Sequence, residues 1–177
     1  MALDYLDALD AIIGIDPGKG GAIALYRNNK TTVVGMPQDD KDLKDFFSYL
    51  VDITENPIVF IERVQMRPSD AHGGKQFGIL KMIRQYDSIV HRIKDCRMPF
   101  IPVTGQSWQK KQGLHIKGED YQKRKRRLKE AAQVLYPEQK VTLKNCDALL
   151  ILRFARFILQ NDRKWVEERF PLDFRLF

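Results

Sequence analysis

The sequence predicts an α/β protein built on a mixed sheet, and three observations carry the prediction. Short runs of Ile, Val and Ala recur, each bounded by turn residues, as strands do. The first three lie close enough together for an antiparallel meander. The later runs alternate with amphipathic stretches whose apolar residues return every three or four positions, as in helices packed on a sheet.

The elements follow in order. Strands are predicted near 11–16, 21–27, 31–36, 57–64 and 98–104. Pro17-Gly18-Lys19-Gly20-Gly21 is the turn between the first two. Asp42 to Val51 reads as a helix between the third and fourth strands. From Phe77, the residues Leu80, Ile83, Tyr86, Val90 and Ile93 mark a second helix. A third runs from about Glu119 to Tyr136, with Leu128, Ala131, Ala132, Leu135 and Tyr136 as its apolar stripe, and Pro137 stops it. The last begins near Asn145. Arg67 to Gly74 reads as a flexible loop. One domain is expected over 1–177, with a core over about 11–160 and a tail over 161–177.

Three carboxylates stand where these apolar elements begin or end. Asp16 closes Ala11-Ile12-Ile13-Gly14-Ile15, Glu62 closes Ile58-Val59-Phe60-Ile61, and Asp147 opens Ala148-Leu149-Leu150-Ile151-Leu152. Each has an ordinary explanation. Asp16 can start a turn before Pro17, Glu62 can lie on an open sheet face, and Asp147 can favour a helix dipole with Asn145 as cap. Taken together they point elsewhere. Glu62 alternates with Phe60 and Val64, and Asp147 is in register with Leu150, Ile151, Phe154 and Ile158, the expected buried stripe. Carboxylates at the edge of a core need an offsetting charge, and hard cations such as Mg²⁺ supply it.

Charge is divided unevenly along the chain. Residues 1–90 carry a net −3 and residues 91–177 a net +10. The densest stretch is Lys123-Arg124-Lys125-Arg126-Arg127 with Lys129, preceded by Lys110, Lys111 and Lys117. Such a run without balancing acids suggests contact with nucleic-acid phosphates rather than a merely solvated face. No apolar stretch is long enough to span a bilayer, and the acidic N-terminus does not read as a signal peptide. Two cysteines, Cys96 and Cys146, fit a reducing compartment, so a cytoplasmic location is expected. Gly14 to Gly21 invites a phosphate-loop reading and fails it, because only three residues separate Gly14 from Gly18-Lys19 and no Ser or Thr follows. A strand rather than a helix comes next, which also excludes a dinucleotide fingerprint, so no nucleotide cofactor is expected.

Ile13-Gly14-Ile15-Asp16-Pro17-Gly18-Lys19-Gly20-Gly21, Phe60-Ile61-Glu62-Arg63-Val64 and Asp147-Ala148-Leu149-Leu150-Ile151 resemble the signature blocks of RuvC-type Holliday-junction resolvases, most closely the branch of phages and some bacterial genomes. The resemblance covers about 11–160. It implies a ribonuclease H-like mixed five-stranded sheet with helices on both faces, a homodimer, and Mg²⁺-dependent paired nicking of branched DNA, with Mn²⁺ as a substitute ion. Asp16, Glu62 and Asp147 match the catalytic acids. Two Mg²⁺ about 4 Å apart would straddle the scissile phosphate. Lys110 and Lys111 resemble the region of the catalytic lysine and could equally anchor phosphates. Apart from the resemblance, His115 could carry a proton, although a lone loop histidine is more often just solvated. Met66 to Gly78, with Arg67, Lys75 and Phe77, resembles the loop that enters the junction, although Phe77 also extends the stripe of the helix after it. Lys117, Lys123, Arg124, Lys125, Arg126 and Arg127 are expected to bind DNA.

One departure stands out. The family places a fourth ligand, Asp or His, one helical turn before its last acid, and here that position is Lys144, followed by Asn145. Asn145 supplies a neutral oxygen in its place, or fewer protein groups hold the second ion, or the chain binds junctions without cutting them. An RNA-processing nuclease on the same scaffold is a further alternative.

Overall fold

The computed structural model describes residues 6–64 and 76–170. Strand β1 (Ala11–Asp16) is the centre of a five-stranded sheet of order β3-β2-β1-β4-β5. It pairs antiparallel with β2 (Ala22–Arg27), which pairs antiparallel with β3 (Lys30–Gly35). On its other side it pairs parallel with β4 (Pro57–Glu62), and β4 pairs parallel with β5 (Phe100–Val103). This is the mixed sheet the sequence predicts, with each strand within about two residues of its expected bounds. A two-residue turn joins β2 to β3, with Asn28 and Asn29 both at positive φ, and Asn tolerates that region well enough to close such a hairpin.

Helices cover both faces. Helix α1 (Asp40–Ile53) starts at Asp39, whose carboxylate accepts from the Asp42 N–H at 2.8 Å. It packs with α2 (Gln76–Asp95) on the face formed by Ile13, Ile15, Ile23, Val59 and Ile61, where Phe47, Leu50, Ile89 and Ile93 are fully buried. The opposite face presents Ala22, Ala24, Ile58, Phe60, Ile101 and Val103. Against it lie α4 (Tyr121–Leu135) and α5 (Cys146–Asn161), together with two short helices, α3 (Gly105–Lys111) and α6 (Arg163–Glu167). Helix α5 is buried along most of its circumference, so it is the central helix of this layer. The described part of the tail closes the same core. Trp165 stacks on Phe60 with ring centroids 6.5 Å apart, meets Phe154 edge-on at 5.6 Å, and is followed by buried Phe170.

One contact sets the relation of helix to sheet. Gly14 faces α5, and a Cβ placed there would lie 2.5 Å from the Leu152 nitrogen and 2.7 Å from the Ala148 oxygen. Only glycine permits this approach of strand to helix backbone. Asp16 is two residues beyond Gly14, and Asp147 directly precedes Ala148, so the close packing brings both carboxylates to one end of the layer. Among the described residues no helix is long and apolar enough to cross a membrane.

Candidate active site

The parallel pairing of β1 with β4 places Ile15 opposite Ile61. Asp16 and Glu62 each follow by one residue, side by side at the carboxyl ends of adjacent strands, where open α/β sheets bind their ligands. Alternation turns both toward α5, since Gly14 and Phe60 lie two residues earlier on the same face. Asp147, in the first turn of α5, completes the group from above and is 9 % exposed.

The three acids feel one another. Burial pushes Asp16 up to about 6, with repulsion from Asp147 adding to it and the Lys125 ammonium opposing it. Burial likewise pushes Glu62 up to about 8, reinforced by Asp16 and Asp147 and opposed by its hydrogen bond from Trp108. That bond runs from Trp108 Nε1 to Glu62 Oε2 at 3.2 Å. Trp108 is on α3, whose N-cap, Thr104, follows β5 directly and accepts from the Ser107 N–H at 3.1 Å. Gly105 leaves room for Glu62, because a Cβ there would stand 2.7 Å from Glu62 Oε1. Among the described residues the Asp16 Oδ1 receives only a long bond, 3.4 Å, from the Gly18 N–H.

A lysine sits among these acids. Lys125 Nζ lies 2.6 Å from Asp147 Oδ2, and the two side chains are only 14 % and 13 % exposed. Burial works against its charge, but attraction to Asp147 and Asp16 outweighs this and raises its pKa above the usual lysine range. The other Asp147 oxygen, Oδ1, takes the Cys146 thiol at 3.3 Å, and burial with the adjacent carboxylate pushes that thiol up to about 12. Lys125, one of the cations expected to bind DNA, therefore faces inward. It has an internal partner, and a signal for this was present in the sequence: Lys125 stands three residues before Leu128 and seven before Ala132, both buried.

Glu62 and Asp147 open onto a cleft of about 630 Å³ that is also lined by Arg63, Gln109, His115 and Arg124. Arg124 stacks its guanidinium 5.3 Å from the Tyr121 ring centroid, and its buried Nε has no hydrogen-bond partner among the described residues. Among the described residues, no three Asp, Glu, His or Cys side chains stand together as a formed metal cage. The donor set nevertheless suits a hard cation. It is made of carboxylates alone, two of them keep a lightly engaged oxygen, and their repulsion already draws in an ammonium.

The remaining predicted residues divide. Lys111 pairs with Asp162 at 3.1 Å and Lys110 is exposed beside it, so neither is among the residues gathered around the acids. The side chain of Asn145 is committed to the loop before α5, where Oδ1 accepts from the Thr142 N–H at 2.7 Å and Nδ2 donates to the Lys140 carbonyl. It makes no cap hydrogen bond to its helix, contrary to the capping role considered from sequence. Arg127 forms a two-point pair with Glu119, at 2.9 and 2.6 Å. Lys117, Lys123 and Arg126 are exposed. Phe77 is 76 % exposed and does not join the core under its helix. Arg67 and Lys75 lie outside the described residues. Sequence reasoning missed Trp108 as the partner of Glu62 and the spaces kept by Gly14 and Gly105, since such contacts exist only once the sheet is assembled.

No protein-family model matches the sequence, and neither does any curated protein. Solved structures do. Thermus thermophilus RuvC in complex with a Holliday junction substrate aligns over 86 % of this chain and 96 % of that one, at 14 % identity and a TM-score of 0.52. A further Thermus thermophilus RuvC structure aligns over 85 % and 95 %, at 13 % identity and a TM-score of 0.51. The chain has the α/β fold of these structures, a mixed five-stranded sheet of the ribonuclease H-like kind.

Proposed function

We propose that the chain is a divalent-metal-dependent endonuclease that resolves four-way DNA junctions. The observation that carries this reading is the convergence of Asp16, Glu62 and Asp147 at one end of the sheet, beside a cleft lined with Arg63 and Arg124. The likeness of the fold to a resolvase bound to its junction supports the choice of substrate.

On the DNA-bound protein Asp16, Glu62 and Asp147 would together hold Mg²⁺, with Mn²⁺ as a substitute. A bound divalent ion supplies a Lewis acid for the scissile phosphate and makes water a usable nucleophile near neutral pH. The chain's own groups do the rest. Trp108 fixes Glu62 by donating to Oε2, leaving Oε1 facing the space that Gly105 keeps. Arg124, anchored over Tyr121, offers its guanidinium to a phosphate entering the cleft. The role of charge stabilisation first assigned to Lys110 or Lys111 passes to Lys125, the ammonium placed among the acids. Exposed Lys123 and Arg126, flanking Arg124 and Lys125 near the start of α4, would track the DNA backbone outside the cleft. Phe77, projecting from the first turn of α2, is free to stack on an unpaired base at the branch point. Paired nicks on opposed strands need two such centres, hence a homodimer.

The test compares a labelled four-way junction, a linear duplex and an RNA–DNA hybrid in Mg²⁺, with Asp16→Asn beside the wild type. Loss of an outer-shell partner typically costs 10–100-fold, so loss of a ligand should lower junction cleavage by more than about a hundredfold. Preference for the hybrid would assign an RNA-processing nuclease. Tight junction binding without nicks in either ion would assign a binding protein, the reading that Lys144 favours.

A further inference from the structure

The three carboxylates differ in what already satisfies them. Asp147 has a partner on each oxygen, with Lys125 Nζ on Oδ2 at 2.6 Å and the Cys146 thiol on Oδ1. Asp16 has one long contact, from Gly18. Glu62 has Trp108 on Oε2 alone. Asp16 and Glu62 are also the adjacent pair, on neighbouring parallel strands.

We propose that the free protein binds one divalent cation, held by Asp16 and Glu62, and that the Lys125 ammonium takes at Asp147 the place a second ion would fill. This rests on reading the cluster as a metal centre.

Charge balance argues for it. With all three carboxylates ionised, as cation binding requires, they and Lys125 leave two negative charges, which one divalent ion neutralises. A second ion would put two surplus positive charges into a partly buried site before any phosphate arrives, and unpaired charge there is costly. The ammonium is also hard to displace. It is shielded from water on a helix packed against α5, and its stem lies in the same stripe as buried Leu128 and Ala132. The residues just before Asp147 offer no replacement ligand. Lys144, one turn earlier, is itself a cation and exposed, and the Asn145 oxygen already accepts from Thr142. Lysine at position 144 is then no defect, because the ion it fails to bind is not needed in the resting protein.

The test is titration of the intact, DNA-free protein with Mn²⁺, followed by calorimetry and by the paramagnetic signal of free Mn²⁺. The wild type should take up one Mn²⁺ per chain. The double variant Lys125→Met/Asp147→Asn removes the pair without changing net charge, and should keep that ion with an affinity within about threefold. Asp16→Asn and Glu62→Gln should each weaken it by more than about tenfold. Lys125→Met alone, shown folded by circular dichroism, should take up a second Mn²⁺. Two ions in the wild type, loss of the ion in the double variant, or a single ion in folded Lys125→Met would each overturn the inference. If Lys125→Met does not fold, the double variant decides. Absence of Mn²⁺ binding in the wild type would overturn the metal-centre reading itself.

Discussion

At the scale of single residues, Glu62 and Asp16 make stability depend on pH in a direction opposite to that of most acids. Their folded pKa values, about 8 and about 6, lie above their ordinary values of 4.5 and 3.8. Between those limits the folded state keeps protons that the unfolded state has released. Their contribution to stability is therefore complete below about 4 and falls as pH rises toward 8, by at most about 1.4 kcal/mol per pH unit for each group. Thermal melts of chelator-treated protein should show Tm falling from pH 5 to 8, and Glu62→Gln should remove much of the slope. A Tm that is flat or rises across that window would contradict the picture of crowded, buried carboxylates. The same neighbourhood shows what a sequence reveals of a site. The three acids could be found because each interrupts an apolar run. Lys125 was hidden by its neighbours, since in a run of six cations among seven residues the one facing inward looks like the rest. Only its register with Leu128 sets it apart.

At the scale of elements, the contact between β1 and α5 holds the site together. Gly14→Ala would drive a methyl group into the backbone of α5 at Ala148 and Leu152, and a backbone cannot rotate away as a side chain can. Overpacking of this kind costs about 1–3 kcal/mol, and the helix must shift to relieve it. Junction cleavage should fall more steeply than the Tm, because the shift separates Asp147 from Asp16. Equal activity of Gly14→Ala and wild type would show that the approach of strand to helix does not position the acids. Periodicity was enough to locate the five strands and the four long helices, whose apolar faces repeat over many residues. It did not reveal α3, seven residues long, or α6, five residues long, because neither completes enough turns to show a repeat. The α3 omission mattered, since that helix carries Trp108 to Glu62.

At the scale of the molecule, the positive second half of the chain is not one uniform surface. Some of its cations are paired within the protein and others face solvent. Arg127 is closed on Glu119 and Lys125 on Asp147, whereas Lys123 and Arg126 face solvent. Lys123→Ala and Arg126→Ala should each reduce the slope of log affinity against log salt by about one, with Tm unchanged. Arg127→Ala should leave that slope nearly intact and lower the Tm slightly. Fluorescence anisotropy across a salt series, paired with melts, separates the two groups. The same slope change for all three would show that the Glu119 pair opens on DNA. The most direct measurement is nucleotide-resolution mapping of nicks in a four-way junction labelled on each strand in turn, in Mg²⁺. A resolvase built on Asp16, Glu62 and Asp147 should give nicks at matching positions on two opposed strands near the branch point, absent with Asp16→Asn. Nicks scattered along the arms, or cleavage that survives Asp16→Asn, would contradict it.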